Sequence, residues 1–250
     1  MFGICMLSVI PVRLEPVDLS EMVSQVLFGE HFEIIESDRQ WRKIRLAFDA
    51  YCGWIDFKQL QPISEEQFNK LENSNLILSN DLVSLSAKDN GNYVAILQGS
   101  CLNFINFYEP NFVFDGSFIS TIQPKSAIIE TAYAYLGAPY LWGGKTIFGI
   151  DCSGFTQMVY KLCGYKLLRD ASQQASQGES LSFIEESEPG DLAFFDNEDG
   201  KIIHVGIMLQ DNYIIHASGE VRIDRLDHLG IYNVKTRKHT HKLRVIKKII

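Results

Sequence analysis

No two cysteines of this 250-residue chain are close enough in sequence to form a C-x-x-C clip. The five present (Cys5, Cys52, Cys101, Cys152 and Cys163) are odd in number, widely scattered and without Cys/His metal spacing. This excludes a disulfide framework or a structural zinc site as the organising element and fits reduced thiols. Long apolar runs are missing too. The opening "MFGICMLSVIPVRLEP" has no positive charge before its apolar stretch and no small-residue cleavage site after it, and it is too short to cross a bilayer. The expected compartment is therefore the cytoplasm, with no membrane as partner. Positive charge is in deficit: 23 Lys and Arg against 31 Asp and Glu give a formal net charge of -8. That argues against nucleic acid, because phosphate binding needs a basic surface. The one locally basic run, "KTRKHTHKLRVIKKII", ends in an alternation that reads as a strand with a solvated charged face. Low-complexity tracts are absent, and the composition, 46% hydrophobic and 22% charged, is that of a folded chain able to bury a substantial core.

What is present falls into three segments. Residues 1–62 hold closely spaced strand-like runs, "CMLSVIPVRL", "EMVSQVLFGE", "HFEIIESD", "QWRKIRL" and "YCGWIDFKQL", punctuated by turn formers. Short strands at this density predict a small barrel, since closure removes exposed edges. In residues 63–122 a helix start at Ser64 is followed by the runs "LVSLSA", "NYVAILQGS" and "NFVFDGSFIS", with a turn expected in "KDNGNY". A second, degenerate SH3-like barrel or a small all-β domain is expected there. Residues 123–250 change character: "KSAIIETAYAYLG" and "DCSGFTQMVYKLCG" read as helices stopped by glycine, and "GDLAFFD", "HVGIMLQD", "NYIIHAS" and "RVIKKII" as strands. Helices followed by antiparallel strands predict an α+β domain.

The chemistry concentrates in the third segment. In "GIDCSGF", Asp151 or Cys152 stands at the N-cap, so Cys152 falls in the first helical turn. Unpaired N–H groups and the positive helix end favour an anion there, and a thiolate is the expected form. Cys163 falls in the last turn of the same helix, where the dipole opposes a thiolate, and is read as structural. A thiol nucleophile needs a base and a group to orient it. If Asp211 and Asn212 form a short turn, hairpin partners sum to about 422, which sets His216 opposite Gly206 and on one face with His204. A metal site is the rival for this pair, but it would want a third ligand, and His31, His228, His239 and His241 offer no supporting spacing.

The run "AYAYLGAPYLWGGKTIFGIDCSGFTQMVYK", then "LLRDASQQASQG", "PGDLAFFD", "HVGIML" and "IIHAS", resembles the NlpC family of papain-like cysteine peptidases. The resemblance implies a papain-like catalytic domain, with helices packed on an antiparallel sheet. It assigns the nucleophile to Cys152, the base to His204 and the orienting residue to His216, with no metal and no cofactor. It also implies that Tyr140 donates to the oxyanion and that Asp151, Ser153 and Ser172 line the substrate cleft. The first segment resembles bacterial SH3-like domains. The combination is similar to a narrower group, γ-D-glutamyl-L-diamino-acid endopeptidases that trim murein peptides with a free N-terminal L-alanine. In that group the first SH3-like domain closes one end of the cleft, and an acid and a tyrosine there hold the substrate ammonium. Tyr51 is the candidate tyrosine. Glu21 is the first candidate acid, before Glu15, Asp18 and Asp56. A small murein peptide is the expected partner, and the oligomeric state is open. The alternatives are an exported endopeptidase acting on intact wall, a papain-like amidase or acyltransferase, or a peptide-binding array whose catalytic domain has decayed. The intact Cys152, His204 and His216 set argues against decay.

Overall fold

The computed structural model describes residues 1–87, 91–108 and 112–250, which divide into two compact units, Met1–Thr121 and Ile122–Ile250. Unit 1 opens with β1 (Phe2–Ile4), β2 (Val9–Arg13), β3 (Met22–Leu27), β4 (His31–Asp38), β5 (Trp41–Leu46), β6 (Cys52–Asp56) and β7 (Gln61–Ile63). These form one small, strongly curved sheet in the order β3-β2-β6-β5-β4-β1-β7. Alternating residues turn inward to make its core: Ile10, Val12, Val26, Phe32, Ile44 and Ile55. The single opening strand expected from sequence is in fact two. β1 pairs with β4 and β7, whereas β2 pairs with β3 and β6, so the chain has to change partners across residues 5–8.

Unit 1 continues through α1 (Glu65–Glu72), β8 (Leu78–Ser79), β9 (Val83–Ala87), β10 (Tyr93–Leu97), α2 (Asn103–Tyr108) and β11 (Phe118–Ile119). Ser64 starts α1 through a capping box with Gln67. The strands form two separate two-stranded ladders, β9 with β10 and β8 with β11. This stretch is therefore mixed helix and strand, not all-β. The turn read in "KDNGNY" falls in part outside the described residues.

Unit 2 runs through α3 (Ala127–Tyr133), β12 (Lys145–Thr146), β13 (Gly149–Ile150), α4 (Cys152–Leu162), α5 (Ala171–Gln174) and β14 (Glu179–Leu181). Then come β15 (Leu192–Asp196), β16 (Ile202–Met208), β17 (Tyr213–Ser218), β18 (Glu220–Asp227), β19 (Gly230–Asn233) and β20 (Lys238–Lys248). The antiparallel order is β14-β20-β15-β16-β17-β18-β19, and β19 also pairs with β20, which closes β15 to β20 into a barrel. Ala193, Phe195, Met208, Ile214, Leu226 and Ile246 pack together as one of its cores. The amphipathic pattern of α4 is lost to complete burial: it packs against α3, β16 and β17, and Phe155, Met158 and Val159 are fully enclosed.

Candidate active site

Asp151 starts α4. Its backbone is extended, and its Oδ1 accepts from Gly154 N–H at 2.6 Å and from the Ser153 hydroxyl at 3.3 Å. Its Oδ2 accepts from Gly143 N–H at 2.9 Å. Buried Arg169 grips the same carboxylate with two N–H groups, at 3.0 and 2.5 Å, and donates to Ser153 Oγ at 3.0 Å. A forked, buried pair of this kind holds the helix start in one place. Gly154 has to lack a side chain, because a Cβ there would lie 2.3 Å from the Gly144 carbonyl oxygen. Asp151 and Ser153 are thus tied into the base of the helix, and Ser172 lies exposed on α5.

Cys152 is the first residue of α4, and the backbone N–H groups of Val205 and Ser153 lie near enough to its sulfur to favour the thiolate. The thiolate expected from the helix end is corrected here. Burial first, and the Asp151 charge second, push the Cys152 thiol up to about 12. The two N–H groups and the Arg169 charge oppose this without overcoming it. With Cys152 only 6% exposed, desolvation exceeds the benefit of the helix terminus. The resting group is a neutral thiol, and a base has to remove its proton as it attacks.

The candidate base, His204, adjoins Val205 in the chain. The β16–β17 turn has the expected form, with Asp211 and Asn212 both at positive φ (55° and 57°) and Tyr213 N–H donating to Gln210 O at 3.2 Å. Ile207 pairs with Ile215 and Met208 with Ile214, the register that sums to 422. The ladder ends there, and the N–H of Val205 meets the Cys152 sulfur. Nε2 of His204 lies 2.8 Å from Nδ1 of His216. Burial first, then the neighbouring His216 and His241, hold His204 well below the ordinary imidazole value, so it rests neutral.

Two participants were not legible as such in the sequence. Asp224 on β18 lies 3.1 Å from His216 Nε2 and takes an N–H from Arg222 at 3.0 Å. The register of β17 with β18 sets Arg222 opposite His216 and Asp224 opposite Ile214, a diagonal neighbour of His216. A hairpin turn at Gly219 was the available signal. His241, set aside from sequence, stacks on His204 with ring centroids 4.1 Å apart. Burial and His216 bring His241 down to about 4. Among the described residues, no group of three or more His, Cys, Asp or Glu is arranged to hold a metal ion.

Tyr140 is half-buried beside this site. Its N–H donates to Gly219 O at 2.9 Å, and it bridges to Ile150. Burial, then the charges of Cys152 and Asp151, raise its phenol, so the hydroxyl stays protonated and able to donate. The Cys152 N–H, at the first helical position, has no intrahelical partner and is the second donor available to an oxyanion. Within unit 1, Tyr51 packs partly on the barrel core and its N–H donates to Asp49 at 3.0 Å. Glu21 is exposed at the entry to β3, as are Glu15 and Asp18 in the preceding loop, and Asp56 accepts from Lys58 N–H.

The family model of the bacterial dipeptidyl-peptidase Sh3 domain matches residues 12–60, and that of the NlpC/P60 family matches residues 137–242. The gamma-D-glutamyl-L-lysine dipeptidyl-peptidase of Bacillus subtilis (strain 168) is 30% identical over 221 residues, covering 78% of this chain and 71% of that protein. The chain belongs to the NlpC/P60 family. Dipeptidyl-peptidase 6 of Lysinibacillus sphaericus is 27% identical to this NlpC/P60 chain over 242 residues, 85% of it and 87% of the relative. The crystal structure of an NlpC/P60 family protein from Bacillus cereus ATCC 10987 shares the fold, with a TM-score of 0.79 at 19% identity, covering 100% of this chain and 99% of that one. The resemblance read from the motifs therefore holds for family and fold class, and this NlpC/P60 protein is a cysteine peptidase.

Proposed function

We propose that the protein hydrolyses the γ-D-glutamyl–diamino-acid bond of small murein peptides that carry a free N-terminal L-alanine, as a step in cell-wall peptide recycling. The observation that carries this reading is that Cys152 on α4 meets the backbone of Val205, the neighbour on β16 of His204, which itself lies 2.8 Å from His216 on β17. The names of relatives, gamma-D-glutamyl-L-lysine dipeptidyl-peptidase in two Bacillus species, support the bond class.

In this mechanism the Cys152 sulfur attacks the γ-carbonyl carbon while its proton passes to His204. The oxyanion is held by the Cys152 N–H and the Tyr140 hydroxyl. Collapse expels the diamino acid's amine, which takes the proton from His204, and leaves an acyl-enzyme. Water, deprotonated by His204, then releases the γ-D-glutamyl acid and restores the thiol. The side chains supply all of this chemistry without a cofactor. Tyr51 and Glu21 bind the α-ammonium, and Ser172 contacts the peptide. Action on released peptides belongs in the cytoplasm, a setting in keeping with five free thiols.

The test is incubation with L-Ala-γ-D-Glu-L-Lys and L-Ala-γ-D-Glu-diaminopimelate, with products identified by mass spectrometry. Release of L-Ala-D-Glu is the expected result. Cleavage of intact wall with the free tripeptides untouched would overturn it in favour of a wall endopeptidase.

A further inference from the structure

The polar chain does not end at His216. His216 Nε2 lies 3.1 Å from Asp224 Oδ2, at nearly complete burial, and Arg222 places its Nη2 3.0 Å from Oδ1 and its Nε 2.8 Å from Oδ2. An ionised carboxylate can only accept, so the hydrogen between Asp224 and His216 belongs to Nε2 of the imidazole. Neutral His216 then offers Nδ1 as a lone pair. The 2.8 Å contact to His204 requires one hydrogen, which must be carried by His204 Nε2. This leaves Nδ1 of His204 unprotonated, the one ring nitrogen free to accept the thiol proton.

We infer that Asp224, with Arg222 as its counter-ion, is a positioning residue that fixes the tautomers of His216 and His204 for proton transfer from Cys152, an inference that rests on reading Cys152 as the nucleophile. Arg222 balances the charge of the carboxylate. The hydrogen bonds from His216 and Arg222 outweigh desolvation and hold Asp224 below the usual carboxylate range, which keeps it an acceptor at neutral pH. When His204 takes the thiol proton, its positive charge lies two hydrogen bonds from this carboxylate. The titratable groups against His204 are His216 from β17 and His241 from β20, with Phe195 of β15 against the ring. Asp224 and Arg222 of β18 reach it through His216, and Cys152 of α4 meets the backbone of the adjoining Val205.

Asp224→Asn keeps the shape but can donate to His216 Nε2. That reverses both tautomers and presents a protonated Nδ1 of His204 to the thiol, a severe effect in a triad. The experiment is alkylation of Cys152 by iodoacetamide as a function of pH, with the site mapped by peptide mass spectrometry, which requires no substrate. Asp224→Asn should slow Cys152 alkylation at least about tenfold and move its acid limb to lower pH, because His204 loses a stabilising negative charge. Asp224→Glu should restore part of the rate. In a His216→Asn background, where no imidazole links Asp224 to His204, Asp224→Asn should add less than about twofold. A purely structural role would leave the pH limb in place and act equally in both backgrounds, and either result overturns the inference. Asp224→Ser is read by the same criteria if the asparagine variant does not fold. Alkylation of another cysteine in the unmodified protein, with Cys152 untouched, would instead overturn the nucleophile reading itself.

Discussion

Cys152 and Cys163 stand at opposite ends of α4, and burial raises both thiols, so acidity alone does not pick a nucleophile. Their surroundings differ. Backbone N–H groups of Val205 and Ser153 lie near the Cys152 sulfur, and His204 precedes Val205, whereas Cys163 Sγ faces Thr131 Oγ1 at 3.6 Å. Cys152→Ser is expected to abolish turnover with the fold intact, because a hydroxyl is far less acidic than a thiol. Cys163→Ser should keep most activity, and full activity in the Cys152 variant would sink the assignment. The base makes its own prediction. As the proposed base His204 acts when neutral, and burial above all, with the neighbouring His216 and His241, lowers its proton affinity. Acidification therefore has to go further before the base is lost, so the acid limb of kcat/KM should lie below pH 6.5, the ordinary imidazole value. A limb at or above that pH would show that a different group takes the proton.

The β16–β17 hairpin joins the two histidines, and its geometry depends on a missing side chain. A Cβ on Gly206 would lie 2.9 Å from His216 Cβ and 2.7 Å from Ile214 Cδ1. Gly206→Ala should therefore displace His216 and crowd the barrel, at about 1–3 kcal/mol of stability by analogy with overpacked cores. Denaturant titration measures the first effect and steady-state kinetics the second, with kcat falling more than KM rises. Unchanged kcat would mean that His216 does not need this position. The hairpin was legible because its turn residues, Asp211 and Asn212, carry a local signal for positive φ. Cys152 was legible for a similar reason: Asp151 is a strong N-cap and Gly164 stops the helix. Asp224 and His241 were not, since each enters the site through pairing between strands, and sequence alone does not report which strands meet. The break between β1 and β2 has the same origin in partner exchange. α2 and α5, of six and four residues, are too short for helical periodicity to show. The thiolate expectation failed for a different reason: the helix end is visible in the sequence, but the depth of burial around Cys152 is not.

For the whole molecule, the remaining question is what the barrel of unit 1 adds to a peptidase whose proposed nucleophile and base both lie in unit 2. The segment matching a dipeptidyl-peptidase Sh3 domain ends at residue 60 and contains both Tyr51 and Glu21. Tyr51 is well suited to a fixed contact. It follows Ala50, held at a φ of 59°, and its N–H is tied to Asp49, so its backbone is fixed before any ligand arrives. If the protein releases dipeptides, as proposed, it has to measure from a free N-terminus, and a carboxylate and a phenol gripping the α-ammonium would provide that reference point. N-acetylation of the substrate's alanine removes the charge and adds bulk. Loss of a charge-assisted hydrogen bond alone costs about 1.5–3 kcal/mol, or roughly one to two orders of magnitude in rate. With the added bulk, kcat/KM for the acetylated tripeptide should fall at least about a hundredfold, and intact wall, whose alanine is amide-linked, should resist equally. Glu21→Ala and Tyr51→Phe should narrow the gap between free and acetylated substrates while leaving Cys152 alkylation at its normal rate. If Glu21→Ala leaves the discrimination whole and Glu15→Ala or Asp18→Ala removes it, the acid is reassigned within the same loop. Equal kcat/KM for the two substrates in the unmodified protein would remove free-amine selection altogether and favour action on the wall.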